Sequence, residues 1–383
     1  MNNKLLSSLK AVKWNHLVNY IAVGVIGLIF TLMTLAGGLP QSTLFLLEKI
    51  TMNIILAVSL TLVVGFLGEL SLGHAGFMCI GAYIGGKAAC ILDGFMDGKG
   101  IISFVVALVI GAAVAGVFGF IIGLPALRLK GDYLAIVTLA FGEIVKTIFQ
   151  NTSNDSFGGP MGLRTPRFDK NYLFVIGFVL VLLTLFVIQN LIRSKHGRAI
   201  TAIRDNEIAA RATGINVTKY KLVGFIISSA FAGVAGVFYS FANSTVSASV
   251  FDYNFSIEIL IMVVIGGMGN IGGSIISATL ITYVNTQLQT ILTGDLAVLK
   301  DIIYALILVL IIIYNNTPAL KSFRDRYNVR KLISYIVAKA HRKNENDEAR
   351  WDVIPTKIEM NEILSVDMKV VESTMEPDKK EVD

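Results

Sequence analysis

The sequence contains 383 residues, of which 54% are hydrophobic and 16% are charged, with a formal net charge of +6 at pH 7. This composition cannot supply the polar surface that a soluble domain of this length needs, so it excludes a water-soluble globular protein. Apolar runs of about 20 residues recur along the chain, which is the length that a helix needs to cross a bilayer. The sequence therefore predicts an all-α polytopic membrane protein. The positive charge fits cytoplasmic loops better than nucleic-acid binding.

In chain order, the apolar runs predict ten transmembrane helices. They are expected at residues 17–36, 48–67, 72–92, 101–124, 133–150, 171–192, 217–241, 255–272, 274–293 and 299–316. Basic residues occur before the first span, around residues 128–130, within residues 193–221 and after residue 321. Ten crossings place these basic regions on one side, which the positive-inside rule assigns to the cytoplasm together with both termini.

Composition divides the chain into four regions. Residues 1–16 are predicted to form a cytoplasmic segment, and residues 17–316 the transmembrane domain, which includes the basic loop 193–221. Residues 317–343 are basic with interleaved apolar side chains, which favours a helix at the anionic membrane surface. Residues 344–383 are highly charged without apolar periodicity, which predicts a disordered cytoplasmic tail.

Two spans are interrupted by glycines and polar residues. They contain the stretches "VVGFLGELSLGHAGF" (63–77) and "VIGGMGNIGGS" (264–274). Because the backbone in hydrocarbon must satisfy its own hydrogen bonds, such a break needs cover from protein or a water-filled cavity. A tight turn with close glycine packing explains either stretch. A broken helix beside a transport pathway is the alternative, and the first stretch suits it better because it also carries polar side chains.

A transport pathway would therefore be expected at the first break, with Ser71, Gly73 and His74 beside it. Thr138 and Glu143 are second choices, since both lie within another apolar span. His74 could hydrogen-bond the interrupted backbone or face a substrate. Glu143 lies three residues before a lysine, so the two can neutralise each other on one helix face.

Other ionisable residues give little indication of chemistry. Glu69 lies near the predicted cytoplasmic end of its span, where it can reach water. Glu258 lies in the first turn of its predicted span, where the helix dipole favours an acid. The four histidines are scattered, and the two cysteines lie in or at the end of one apolar stretch, where they are expected as small buried residues, so no metal site is predicted. The sequence has no G-x-x-x-x-G-K-[ST] phosphate loop and no catalytic constellation, so neither an enzymatic site nor a cofactor is expected in this chain.

The segment "RDNEIAARATG" (204–214) predicts about two turns of capped helix in the basic loop. Asp205 or Asn206 can cap its start, and Glu207 can pair with Arg211 four residues later. Gly214 suits the position that ends a helix. Because such a short helix is unstable alone, it needs a packing partner. It is either a surface helix that fills a loop or a docking element for another protein.

Several stretches resemble a family of ABC importer permeases. Within "EIAARATG", Glu207, Ala209, Ala210 and Gly214 resemble the E-A-A-x-x-x-G loop of these permeases, which is the coupling helix that docks into the ATPase. The stretches "GELSLGHAGFMCIGAY", "LRLKGDYLAIVTLAFGEIVK", "GGPMGL" and "SIEILIMVVIGGMGNIGGSIISA" follow in the family's order. Over residues 50–315, the chain is similar to branched-chain amino-acid ABC permeases, specifically the M subunits of the Liv system.

This resemblance implies an ABC importer permease fold in a bacterial or archaeal cytoplasmic membrane, and a cargo of leucine, isoleucine and valine. It implies a second, related permease subunit, two cytoplasmic ATPase subunits that bind ATP and magnesium, and an extracytoplasmic substrate-binding protein. The residues expected to couple ATPase closure to pathway opening are Glu207, Ala209, Ala210, Arg211 and Gly214. The alternatives are the same role with urea, an amide, another amino acid or a nucleoside as cargo, or an ATP-independent secondary transporter.

Overall fold

The structure is a computed structural model. It describes residues 14–95, 100–129, 131–166 and 170–291, together with Leu306 and Val309. All of these residues belong to one compact unit, Met1–Asn315. Apart from Leu306 and Val309, the predicted span at 299–316 lies outside the described residues. The predicted regions 317–343 and 344–383 also lie outside them.

The described chain is mainly helical. The helices are α1 (Trp14–Leu35), α2 (Gln41–Thr61), α3 (His74–Ile80), α4 (Gly86–Phe95), α5 (Gly100–Ala126), α6 (Asp132–Gln150), α7 (Asn154–Phe157), α8 (Lys170–Arg193), α9 (Lys195–Asp205), α10 (Glu207–Ala212), α11 (Val217–Ala242), α12 (Tyr253–Gly266) and α13 (Ile271–Ile291). Two π-helical segments, Leu62–Leu67 and Gly81–Gly85, continue α2 and join α3 to α4. Two short strands are β1 (Leu163–Arg164) and β2 (Thr245–Val246).

Five helical stretches of the described residues are long and apolar enough to cross a membrane. They are Gln41–Leu67, His74–Asp93, Ile101–Ala126, Tyr172–Arg193 and Val217–Ala242. Each contains most of a predicted span, so the sequence located these helices correctly. The span predicted at 48–67 begins earlier, at Gln41, and the span predicted at 255–272 ends earlier, at Gly266.

Helix α11 lies in the centre of the bundle, where it packs most extensively against α5 and also contacts α2, α3 and the second π-helical segment. Small residues make this close packing possible. A Cβ atom added to Gly81 would collide with the backbone of Gly233 on α11. The core around α11 contains large buried side chains such as Phe225 and Phe238. Helix α11 is therefore surrounded by other helices along most of its length.

Both predicted helix breaks are present. The first π-helical segment ends at Gly68, which has a φ of +77°, and α3 does not begin until His74. The second break separates α12 from α13, and Gly267 and Gly269 have φ values of +90° and +83° there. These values lie in the left-handed region, which glycine adopts without steric cost. The sequence therefore predicted both breaks correctly.

The loop between α6 and α8 is folded through residue 166. It contains α7, the 3₁₀ turn Gly159–Met161 and β1, and β1 pairs antiparallel with β2. The Thr165 hydroxyl shares its one proton between the carbonyl oxygens of Ser240, at 2.5 Å, and Asn243, at 2.9 Å. These bonds attach the loop to the C-terminal end of α11.

Candidate docking and pathway site

Two capped helices, α9 and α10, form most of the loop between α8 and α11. The Ser194 hydroxyl caps α9 by accepting hydrogen bonds from the backbone N–H groups of His196 and Gly197. Asn206 stands between α9 and α10, and its side-chain oxygen accepts from the N–H of Ala209 at 3.0 Å. One asparagine thus ends α9 and caps α10. Of the two residues predicted as caps, Asp205 and Asn206, the structure shows Asn206 in this role.

The predicted end and ion pair of α10 are also present. The N–H of Gly214 donates to the carbonyl of Arg211, and the N–H of Ile215 donates to that of Ala210, both at 3.1 Å. Gly214 has a φ of +85°, as a glycine-terminated helix requires. Arg211 binds Glu207 at 2.9 Å, which confirms the pair predicted between these residues. Local chemistry therefore defines both ends of this short helix.

Helix α10 buries one side and exposes the other. Ala210 is 4% exposed and packs with Ile203 and Val217. Ala209 faces solvent, and Ile208 is 81% exposed. Isoleucine is usually buried, so its exposure here gives α10 a small apolar face toward solvent. Ala210 lies on the opposite side, where it attaches α10 to α9 and α11.

A buried charge cluster links α10 to the first helix break. The Lys221 ammonium lies 2.5 Å from a carboxylate oxygen of Glu69 and 3.2 Å from one of Glu207. The Lys221 side chain is only 6% exposed. The prediction that Glu69 reaches water is wrong, because a buried carboxylate needs a partner and Lys221 supplies it. Since Glu207 also binds Arg211, acids and bases alternate from the break to the surface of α10.

Arg204 makes a second link, between α9 and both breaks. Its guanidinium donates to the carbonyl oxygen of Gly65 at 2.8 Å, inside the first π-helical segment. Its aliphatic part lies against Gly68, and its guanidinium also binds Asp205 at 3.0 Å. A Cβ atom on Gly65 would collide with the backbone of Gly269 in the second break. The two breaks are therefore in contact, and Arg204 binds at their junction.

The residues after the first break pack against α6. The backbone N–H of Leu72 donates to the Thr138 hydroxyl at 3.0 Å. A Cβ atom on Gly73 would collide with the carbonyl oxygen of Thr138. Ser71 and Thr138 are both buried. The structure thus brings Thr138 to the segment that contains Ser71 and Gly73, although they are far apart in sequence.

His74 is buried at the start of α3. Its Nε2 atom lies 2.8 Å from the hydroxyl of Ser59, so the partner observed is a side chain of α2 and not the interrupted backbone. Ser59 lies about two turns before the end of the first π-helical segment. The chain after the break therefore folds back along α2. The N–H of Ala75 donates to the Ser256 hydroxyl, which adds a contact from α12.

Two further acids have specific partners. Glu143 binds Lys146 at 2.8 Å, which confirms the predicted pair, and its second oxygen accepts from the N–H of Tyr253 at 2.9 Å. Glu258 accepts a hydrogen bond from the Asn285 side chain at 2.8 Å. The prediction that Glu258 lies in the first helical turn is wrong, because α12 begins at Tyr253.

Sequence patterns alone did not indicate Lys221, Arg204 or Ile208. Lys221 and Glu69 are 152 positions apart, so no helical spacing relates them. A signal was nevertheless present for Lys221, since it occurs inside a predicted apolar span, where a cation is costly unless paired. Ile208 could have been found as the large apolar residue of a short polar helix.

Residues 42–312, more than half of the chain, match the family described as branched-chain amino acid transport system / permease component. The chain belongs to this family of membrane permeases, and its apolar helices are those of a multi-pass membrane protein.

Individual relatives agree with this assignment. The chain is 35% identical to the high-affinity branched-chain amino acid transport system permease protein LivM of Escherichia coli, over 68% of this chain and 66% of LivM. It is 31% identical to the probable LivM of Methanocaldococcus jannaschii, over 43% of this chain and 51% of the relative. It is 26% identical to the ribose import permease protein RbsC of Escherichia coli, over 71% of this chain and 84% of RbsC. The matched region spans slightly less than two thirds of Escherichia coli LivM. No solved structure matches the chain.

Proposed function

We propose that this chain is the transmembrane permease subunit of an ATP-driven ABC importer for branched-chain amino acids. The observation that carries the proposal is the family match over residues 42–312, together with 35% identity to a protein named for this transport. In this proposal the chain crosses the cytoplasmic membrane ten times, with both termini in the cytoplasm. ATP hydrolysis takes place in partner subunits that bind ATP and magnesium.

The proposed partners are a second, related permease subunit, two cytoplasmic ABC ATPase subunits and an extracytoplasmic substrate-binding protein. Helix α10 is the proposed ATPase contact, with Glu207, Ala209, Arg211 and Gly214 on or beside its accessible surface. Ala210 acts indirectly, because its buried side chain attaches α10 to the bundle. Ile208 joins the contact because its side chain is exposed.

Closure of the ATPases can open a pathway only if it favours one permease conformation over another. To change the ratio of two permease conformations from 1:99 to 99:1, the free energy of ATPase binding must differ between them by roughly 5.5 kcal/mol. We call the loop that carries α9 and α10 the docking loop, and Lys221 with Glu69 and Glu207 the Lys221 cluster. This cluster and Arg204 are suited to transmit that preference, because they join the docking loop to the first break, where Ser71, Gly73 and His74 lie. Thr138 contacts the same segment, and Glu143 lies on the same helix as Thr138.

The branched-chain cargo is favoured over a sugar, because identity to LivM of Escherichia coli is 35% and identity to the ribose permease RbsC is 26%. Urea, amides, other amino acids and nucleosides are the other cargoes to compare. An ATP-independent secondary transporter is the alternative of a different class. Transport by the chain without any ATPase subunit would support that alternative.

The test reconstitutes the chain with its partner subunits in vesicles and measures ATP hydrolysis and leucine uptake together. Glu207→Lys reverses a charge in the cluster, and Gly214→Val places a branched residue at a positive φ. Both variants should insert in the membrane yet lose uptake per ATP hydrolysed. Val109→Ala, at an exposed position on α5 away from α10 and from both breaks, is the control and should behave as wild type. Normal uptake by both α10 variants would contradict the coupling role.

A further inference from the structure

The docking loop carries its charges in two unlike halves. Residues 204–211 contain two bases and two acids, which form two ion pairs with one another. Residues 193–203 contain no acid. Their three basic residues, which we call the cationic cluster, are Arg193, Lys195 and Arg198. One half of the loop is thus neutral, and the other carries three positive charges.

The cationic cluster has no counter-charge within the described chain. All three of its residues are exposed, and no ion pair joins them to an acid among the side chains that the structure describes. Arg193 donates to the side-chain oxygen of Gln189 at 3.3 Å, but this partner is neutral. Lys195 and Arg198 lie in the first turn of α9, where the partial positive charge of the helix end disfavours cations. The cluster therefore favours an anion from outside the chain.

The position of the cluster indicates where that anion comes from. Arg193 is the last residue of α8, and the stretch Tyr172–Arg193 is long and apolar enough to cross a membrane. Lys195 and Arg198 follow within five residues, so all three cations lie where this helix leaves the hydrocarbon layer. Anionic phospholipid headgroups attract basic side chains at that level.

Helix α9 holds the cluster in a fixed position against the end of the bundle. Its buried residues are Gly197, Ala199, Ile200 and Ile203. The helix contacts α8, α11 and the first π-helical segment, and the His196 ring lies against Tyr220 of α11 with ring centres 5.8 Å apart. Lys195 and Arg198, three positions apart, share an exposed side of this packed helix. Because the helix is already ordered, an anion that binds there loses less free energy to ordering the backbone.

We propose that the cationic cluster binds the headgroup of an anionic phospholipid from the membrane around α8. The headgroup phosphate pairs with Lys195 and Arg198 on α9 and with Arg193 at the end of α8. The lipid thereby fixes the N-terminal end of α9, while Arg204 near its C-terminal end binds the Gly65 carbonyl in the first break. This assignment does not depend on which solute the permease carries.

An acidic surface of the proposed ATPase is the competing occupant. The proposed ATPase contact, α10, begins at the far end of α9, which has 11 residues and is about 16 Å long. The cluster instead adjoins the end of a membrane-spanning helix. Residues 193–205 also expose no large apolar side chain, whereas α10 exposes Ile208. Both features favour a lipid headgroup over a second protein surface at the cluster.

The test places the complete permease–ATPase complex in phosphatidylcholine vesicles that contain phosphatidylglycerol with a photoreactive headgroup. After illumination, mass spectrometry measures the label on residues 193–204. The double variant Lys195→Gln with Arg198→Gln should reduce that label at least about tenfold, because each basic side chain adds to the attraction of an anionic lipid. The matched control, Arg128→Gln with Arg164→Gln, removes two exposed cations from other loops and should keep the label.

Two further measurements on the wild-type complex test the chemistry of the site. Phosphatidylcholine with the same photoreactive group has no net charge and should label residues 193–204 much less. Higher salt should lower the phosphatidylglycerol label, because screening weakens exposed ion pairs. Equal labelling by the two lipids overturns the proposal. So does wild-type labelling of the double variant while its complex stays assembled on size-exclusion chromatography.

The remaining outcomes distinguish other occupants. Displacement of the label by glycerol phosphate in the buffer would overturn the proposal in favour of a soluble phosphate site. Labelling that occurs only after the ATPase subunits are removed would overturn it in favour of an ATPase contact. Since the measurement is of lipid contact and not of uptake, its result is independent of the proposed transport function.

Discussion

The two helix breaks are in contact, yet they are stabilised in different ways. Residues from distant parts of the chain bind the first break, with Arg204 on the Gly65 carbonyl and Lys221 on Glu69. The second break is closed mainly by its own residues, since Gly267 donates to Val264 and Asn270 donates back to Gly267. The first break is thus connected to the docking loop by charge, and the second is a local turn. Substitutions that affect transport should therefore cluster at the first break.

Lys221→Met should have the largest effect. It removes the cation between two carboxylates and leaves Glu69 buried without that partner. Breaking a buried pair in this way costs about 3–5 kcal/mol. The melting temperature in detergent should fall markedly, and uptake should be lost.

The double variant Lys221→Met with Glu69→Leu tests the cause. An apolar pair of similar volume removes the uncompensated charge, so the melting temperature should recover. Uptake should stay low, because the charged connection to Glu207 is still absent. Recovery of both properties would mean that the cluster only stabilises the fold.

Arg204→Met should have the next largest effect. It removes a charged hydrogen bond to the Gly65 carbonyl, which is worth about 1.5–3 kcal/mol. We expect a lower melting temperature and fewer leucine molecules imported per ATP hydrolysed. A lower melting temperature with an unchanged ratio would show that Arg204 stabilises the junction without transmitting movement.

Asn270→Ala examines the second break. The Asn270 side-chain oxygen accepts from the N–H of Gly273 at 3.2 Å, and losing such a cap costs about 1 kcal/mol. Thermal unfolding should shift to a slightly lower temperature, while the uptake per ATP of folded complexes should match wild type. A lower uptake ratio would remove the contrast between the two breaks.

Ile208→Ala should have the smallest effect on stability, because the side chain is 81% exposed. Its expected effect is on association, measured as the amount of ATPase that co-purifies from mild detergent. If Ile208→Ala leaves co-purification unchanged, the apolar face of α10 is not the ATPase contact.

Ala210→Leu should instead affect stability. It enlarges a buried residue and should destabilise α10 by about 1–3 kcal/mol, measured as a lower melting temperature.

Local patterns were enough to predict the five long apolar helices, the breaks and the ends of α10. Asn206, Glu207, Arg211 and Gly214 form a capped and paired helix because each acts on neighbours within four residues or on its own backbone. Apolar length predicted the spans for the same reason, since it depends on contiguous sequence. Their boundaries were less certain, because polar residues such as Gln41 can continue a helix that packing stabilises.

The partners of the charged residues could not be predicted in this way. Glu69 and Lys221 are 152 positions apart, and only tertiary packing brings them together. The side chain of Asn53 on α2 likewise donates to Thr282, from a helix far along the chain. A sequence can indicate that a charge in an apolar span needs a partner, but it does not identify that partner.

The attachment of the loop between α6 and α8 to α11 has a mechanical consequence. Lys221 lies in the second turn of this helix, while Ser240 and Asn243, at its far end, bind Thr165 of the loop. With 26 residues, the helix is about 39 Å long. An α-helix of this kind resists stretching, so an axial displacement at Lys221 is delivered to the loop as a displacement of similar size. One rigid rod can therefore carry motion from the docking loop to the loop bound at its other end without a chain of side-chain rearrangements between them.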